Sequence, residues 1–185
     1  NAAMQRIELR RRDMAGVTDV RKLSRLLLPG NWEVRVNPTD GVAFTSFSAT
    51  PYGVDRSRRM PEAADAPMMS LRDAAHAAVN IGLSTKPGRI EGAVLHEKKP
   101  VIGAPVYLLA ATSSVKQRVH GLLEVQSDHE GKFAFIGLPA GDYRIISTVD
   151  LDELDENTLD HARAESVTVT EGATKSVTIS LYEVK

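Results

Sequence analysis

The sequence predicts an all-β chain of two tandem β-sandwich modules, the first over residues 1–87 and the second over residues 88–185. Three observations predict it. First, a segment occurs twice. Lys132 to Ile146 reads as a strand, then Leu138-Pro139 and Gly141 at a turn, then Tyr143 opening a second strand. Lys22 to Val36 repeats it, with Leu28-Pro29-Gly30 at the turn and Trp32 as the aromatic. A repeated unit of this kind marks related modules in tandem. Second, about seven short strands with turn signals follow one another after residue 88, the spacing of a β-sandwich. Third, hydrophobic residues are 42% and charged residues 25%, a globular balance. No apolar run nears the roughly 20 residues of a membrane-spanning helix.

The second module is read in order. Arg89 to Leu95 alternates apolar and polar residues, as a half-buried strand does. Lys98 to Pro105 is a turn punctuated by Pro and Gly. Val106 to Ala110 is a buried strand, Thr112 to Arg118 a polar loop, and Leu122 to Ser127 the next strand. Asp128-His129-Glu130-Gly131 is a hairpin turn, with Gly131 suited to positive φ. In the repeated unit Phe133 and Phe135 share one face, as do Tyr143 and Ile145. Asp150 to Ala164 is acidic at its start and carries His161 and Arg163 near its end, which suits a short helix, a single helical turn or an irregular loop being the alternative. Val167 to Thr170 and Val177 to Leu181 close the module as a pair of strands.

In the first module, strands are expected at Met4 to Leu9, along the repeated unit, and at Val42 to Ser48. Asp55 to Met69 reads as a long loop, with Tyr52 in a loop before it. Ser70 to Ala78 is Ala-rich like a helix yet leads into the strand Val79 to Ser84. Only 21 residues precede Lys22, so the module lacks an opening strand. It is either a smaller sandwich or part of a longer chain. Ser84 to Gly88 is a short junction with a restricted hinge.

Charge and cysteine content bound the partners. The chain carries a net charge of −1 and no Cys. Residues 1–87 hold 13 Lys+Arg against 9 Asp+Glu, and residues 88–185 hold 10 against 15. This asymmetry is read as two solvated surfaces. Neither half is basic enough for nucleic acid. Without Cys there is no disulfide framework, zinc cluster or thiol nucleophile.

The second module resembles the carboxypeptidase regulatory-like domain, a seven-stranded prealbumin-like (transthyretin-like) sandwich. The matching pieces are Ile90 to Val94, Pro100 to Leu108, Ser127 to Phe135 and Gly137 to Tyr143. Residues 88–182 carry the resemblance well; residues 4–84 carry it weakly, through Leu28 to Trp32. The resemblance implies a non-catalytic structural, spacer or interaction module of a larger exported bacterial protein. It implies a periplasmic, outer-membrane-associated or extracellular place, neighbouring domains of the same polypeptide as partners, no cofactor and a monomer. An export signal is then expected outside residues 1–185. Hydroxyisourate hydrolases, which share a related sandwich, end in Tyr-Arg-Gly-Ser, whereas this chain ends Tyr182-Glu183-Val184-Lys185. The Tyr/Tyr/His/His iron set of intradiol dioxygenases has no visible counterpart.

Candidate sites are few. Asp150, Asp152 and Asp155 are the candidate Ca²⁺ ligands, because hard cations take several oxygens. The run lacks the central Gly and distal Glu of an EF-hand loop, and a solvated acidic segment is the preferred reading. Tyr52, between Pro51 and Gly53, is the candidate for stacking on a sugar or peptide at a cell surface. Trp32, Phe133, Phe135 and Tyr143 are assigned to core packing, where aromatics contribute most. Asp128-His129-Glu130 splays outward in its turn and is not an acid/base cluster. His76, His96, His120 and His161 show no metal-ligand spacing.

Overall fold

A computed structural model describes residues 7–12, 20–22, 27–37, 41–52, 67–71, 76–116, 118–119, 121–150, 158, 162 and 164–183. The first module holds β1 (Ile7–Arg11), β2 (Val20–Lys22), β3 (Gly30–Val36), β4 (Ala43–Tyr52), β5 (Met68–Leu71) and β6 (His76–Ser84). The second holds β7 (Gly88–His96), β8 (Lys99–Pro100), β9 (Pro105–Ala110), α1 (Ser113–Lys116), β10 (Leu123–Gln126), β11 (Lys132–Leu138), β12 (Gly141–Thr148), β13 (Glu165–Val169) and β14 (Thr174–Tyr182). The chain is an all-β sandwich protein with two separate cores.

Period-two patterning builds the second sandwich. Val106, Leu108 and Ala110 of β9, Tyr143 and Ile145 of β12, and Val167 and Val169 of β13 all point inward from one layer. Ile90 and Val94 of β7, Phe133 and Phe135 of β11 and Ile179 of β14 meet them from the other. The Phe133 and Phe135 rings pack edge-on at 6.1 Å. Gly92 faces the core between Ile90 and Val94, opposite Phe133. A methyl there would run into the Val177 carbonyl, and the Phe133 ring covers the gap. The two layers join where β12 and β14 pair in parallel, at Ser147↔Leu181 and Thr148↔Tyr182. Ser147 is buried and donates to the Pro105 carbonyl at 2.8 Å. Ser127 is buried too, donating to Val101 O at 2.7 Å while accepting Ala104 N–H at 2.9 Å.

The layer β2-β1-β3-β5 of the first module repeats the order β10-β9-β12-β13 of the second. Its inward residues are Ile7, Leu9, Trp32, Val34, Val36, Met69 and Leu71, covered by Phe44 and partly by Phe47 and Ile81. Only the second strand of the repeated unit holds the same place in both: Lys132–Leu138 is β11 of the other layer, whereas Lys22 ends β2 in the layer of β3, residues 23–26 lie outside the described residues, and Leu27 and Leu28 are not in a strand. β3 and β12 each begin at a Gly with φ of 153° and 155°. Two residues on, Trp32 is 1% and Tyr143 0% exposed. Trp32 Nε1 donates to Leu28 O at 3.0 Å, and Tyr143 OH donates to Pro139 O at 2.7 Å. Both acceptors lie four residues upstream. Burial pushes the Tyr143 phenol well above its ordinary pKa, so it stays a donor.

The second layers differ. In the second module β14 pairs with β7, and β7 with β11. In the first, β6 pairs with β4, which lies between β3 and β5 in the chain. β4 holds beside β6 the place that β7 holds beside β14. It pairs antiparallel, whereas β7 and β14 are parallel.

Several expectations need correction. The long loop ends before Met68: β5 starts there, and Met69 fills the core by alternation. Tyr52 is not in a loop at the backbone level; it ends β4, opposite His76. Among the described residues β4 pairs with β6 alone, and Pro51 is accommodated as in other edge strands. Leu28 is 58% exposed whereas Leu138 is 2%. Leu28 sits at the corner and offers its carbonyl to the indole, while Leu138 is still in β11. The Thr112–Arg118 loop contains α1, whose Val115 is buried against Gly141. The expected helix at Asp150 to Ala164 lies mostly outside the described residues. Ala162 N–H donates to Thr158 O at 2.9 Å, and Ala162 and Ala164 pack on the outer face of β9 and β12 against Ile146 and Tyr107.

Two stability changes follow. Tyr143→Phe leaves the Pro139 carbonyl without its donor and lowers unfolding free energy by about 1 kcal/mol in urea titration. The β7–β8 hairpin turns on Glu97 and Lys98 at φ 50° and 65°. Replacing them by Asn-Gly relieves left-handed strain and raises stability by about 1 kcal/mol.

Candidate functional site at the module junction

The junction is short and clasped. β6 ends at Ser84, and Thr85, Lys86 and Pro87 lead to β7. The turn between β13 and β14 reaches back onto this stretch. Ser84 Oγ donates to Glu171 Oε1 at 2.5 Å and accepts Lys86 N–H at 3.1 Å. Gly172 N–H donates to Lys86 O at 2.9 Å, and Arg89 N–H donates to Ala173 O at 2.9 Å. Gly172 has φ 70°, so only a residue without Cβ adopts this turn cheaply. Gly88 is buried against Val169, where a methyl would collide. On the other side, Gly137 of β11 faces the carbonyl of Val42 in the first module. The linker is therefore tied into the second sandwich by backbone and side-chain bonds, and the first module continues directly from it.

Where charge is buried, it is neutralised. Glu33 lies on the outer face of β3, between the inward Trp32 and Val34, with its side chain 3% exposed. Arg12 Nε is 2.5 Å from its Oε2 and Arg35 Nε 2.8 Å from its Oε1. Burial raises the Glu33 pKa, but the Arg35 and Arg12 guanidinium groups outweigh it and hold the carboxyl below its ordinary value. This triad was not visible in the sequence. A Glu next to Trp32 in an alternating strand reads simply as solvent-facing.

Of the polar groups singled out from sequence, Asp128 is used in its own turn. Asp128 accepts the N–H groups of Glu130 and Lys132, each at 2.8 Å, and these bonds lower its pKa. His129 is exposed at the tip of that turn. His96 Nδ1 lies 3.8 Å from Glu183 at the surface. Asp150 is exposed, its N–H donating to Thr148 Oγ1 at 3.2 Å. Asp152, Asp155, His120 and His161 lie outside the described residues, as does the side chain of Tyr52. Among the described residues no group of three or more His, Asp or Glu could hold a metal ion. No described helix is long and apolar enough to cross a membrane. An open groove of about 870 Å³ lies on the second module, lined by Arg89, Glu91, Ala93, Lys132, Ala134 and Thr178 among others.

No family model and no curated protein matches the chain. Solved structures do match. One is a Pseudomonas aeruginosa protein described as a candidate carbohydrate-binding protein, 17% identical with TM-score 0.33, over 51% of this chain and 88% of that one. Another is the major pilin subunit of Bacillus cereus, 16% identical with TM-score 0.39, over 80% of this chain and 41% of that one. A third is a minor pilin of Streptococcus agalactiae, 10% identical with TM-score 0.36, over 97% of this chain and 83% of that one. The chain thus spans less than half of the Bacillus cereus subunit.

The Glu33 triad makes stability depend on pH. The folded pKa lies below the unfolded one, so the contribution is complete above the unfolded carboxylate range and fades as pH falls through the folded value. Glu33→Gln should cost about 2 kcal/mol at pH 7 and less at pH 3, by chemical denaturation at both.

Proposed function

We propose that this chain is a rigid, non-catalytic spacer in a larger exported bacterial protein. In this reading residues 88–185 are a carboxypeptidase regulatory-like sandwich and residues 1–87 its shortened sibling. Neighbouring domains of the same polypeptide are its partners. The observation that carries the reading is the clasped junction. A linker left free would let two sandwiches swing, whereas a linker bonded to the β13–β14 turn carries their orientation from one to the other. The bonds at Ser84, Lys86 and Arg89 are each worth about 0.5–1.5 kcal/mol net, enough together to favour one arrangement strongly. The motifs Gly131-Lys132-Phe133 and Gly137-Leu138-Pro139 support the family, and through it the exported setting. The non-catalytic reading is supported by the engagement of Asp128, Ser127 and Ser147 in turns and in the core.

Spin labels on Ser48→Cys and Lys99→Cys, both exposed, test it by pulsed dipolar spectroscopy. The spacer reading expects one narrow distance distribution that widens in Ser84→Ala/Glu171→Ala. A broad distribution in the otherwise unaltered chain, or no change on removing the clasp, contradicts it.

A further inference from the structure

We infer that the free edge of β11 is a self-pairing surface, where a second copy of this chain adds antiparallel through Ala134 and Ile136. The register of the sheet decides which backbone groups are on offer. β11 ends the strand order and pairs only with β7 among the described residues. Val94 N–H donates to Gly131 O at 2.8 Å. Phe133 lies opposite Gly92 and Phe135 opposite Ile90. Opposed antiparallel residues alternate between bonded and non-bonded pairs. Phe133 and Phe135 therefore turn their N–H and C=O toward β7, and Lys132, Ala134 and Ile136 turn theirs to the outside. Those of Lys132 are used: its N–H donates to Asp128 Oδ1 and its carbonyl accepts Asp128 N–H, both at 2.8 Å. Those of Ala134 and Ile136 meet no partner among the described residues.

Symmetry and side-chain size point to a second copy as the occupant. A twofold axis through Phe135 puts Ala134 of one copy opposite Ile136 of the other, and the reverse. Both become bonded pairs, so all the outward donors and acceptors of these residues are met. On the outer face Ile136, 61% exposed, then lies beside the small Ala134 of the second copy. A large apolar side chain two positions from a small one is self-complementary under a twofold, as an isologous contact requires. The stretch from Phe133 to Ile136 also lacks the charges and prolines that usually blunt an edge. Val42 near Gly137 and the register shift after Ile136 bound the seam at one end, and Asp128 caps it at the other. With two residues per copy the contact is weak. It departs from the expected monomer only at high local concentration. The seam is independent of the spacer reading.

The chain has no Cys, so single cysteines report register cleanly. Ala134→Cys and Ile136→Cys chains of different mass are mixed in equal amounts at millimolar concentration under mild oxidant. The expected product is the mixed disulfide, in clear excess over its statistical share. In parallel, sedimentation equilibrium should show reversible dimers for the unaltered chain and monomers for Ala134→Pro and Ile136→Lys. Ala134→Pro removes only an outward N–H, so its melting temperature should be unchanged; Ile136→Lys leaves the backbone intact should that variant fold poorly. A statistical disulfide mixture, a monomer at every concentration, or dimers that survive both substitutions overturns the proposal.

Discussion

Two buried rings hold the same position in two different sandwiches. At each, a ring on the first inward position of a strand donates to a carbonyl four residues upstream. The bond satisfies a backbone acceptor just ahead of the strand; in the second module this is where the chain passes from the layer of β11 to that of β12, whereas in the first β2 and β3 share one layer. It also brings a large apolar surface to the centre of the core. The preceding Gly, at φ near 155° in both, lets the chain enter the strand without a Cβ in the way. At Gly141 that missing Cβ is the space filled by Val115. Indole and phenol differ in shape, and the spacing from Pro to ring differs by one residue. The donor still reaches the carbonyl at the fourth position back. The constraint is the hydrogen bond, and the sequence around it adjusts.

The layers grow outward from these corners. With β3 and β12 fixed, β1 and β9 flank them on one side and β5 and β13 on the other, in the same order. The remaining strands are where the modules diverge. The second closes its other layer with an opening strand and a parallel partner. The first does so with β4, supplied from between β3 and β5. A strand arriving there must run antiparallel to β6, which it does over nine residue pairs from Ala43↔Ser84 to Tyr52↔His76. β6 then leads straight into the junction, so the core of the first module and the clasp at Glu171 act on one continuous piece of chain.

Much of this was legible in the sequence, for a physical reason. Alternation along Val106 to Ala110 and Lys132 to Phe135 reports which side of a strand is dry. Gly131 at φ 76° announces a turn that other residues resist. Burial of Trp32 and Tyr143 followed from their place in a repeated unit. What was hidden depends on residues far apart in the chain. Ser84 and Glu171 are separated by 87 positions, and nothing local marks either as a partner. Glu33 looks solvent-facing until Arg12 and Arg35 are seen to cover it. The pairing of β4 with β6 could not be read from Val42 to Ser48, because alternation gives a face and not a neighbour. Pro51 misleads in the same way, since an edge strand tolerates what a central one would not. The seam proposed at Ala134 and Ile136 likewise needs the register with β7 before its outward groups can be named.

Hydrogen exchange at the indole N–H of Trp32 tests the central claim most directly, because this is the chain's single tryptophan and gives one resolved signal. If the corner bond anchors the first module, that proton exchanges only when the module unfolds, at the same free energy as the slowest amides of β1 and β3. Exchange at the rate of a solvent-exposed indole, while those amides stay protected, would show that the corner does not hold the sandwich together.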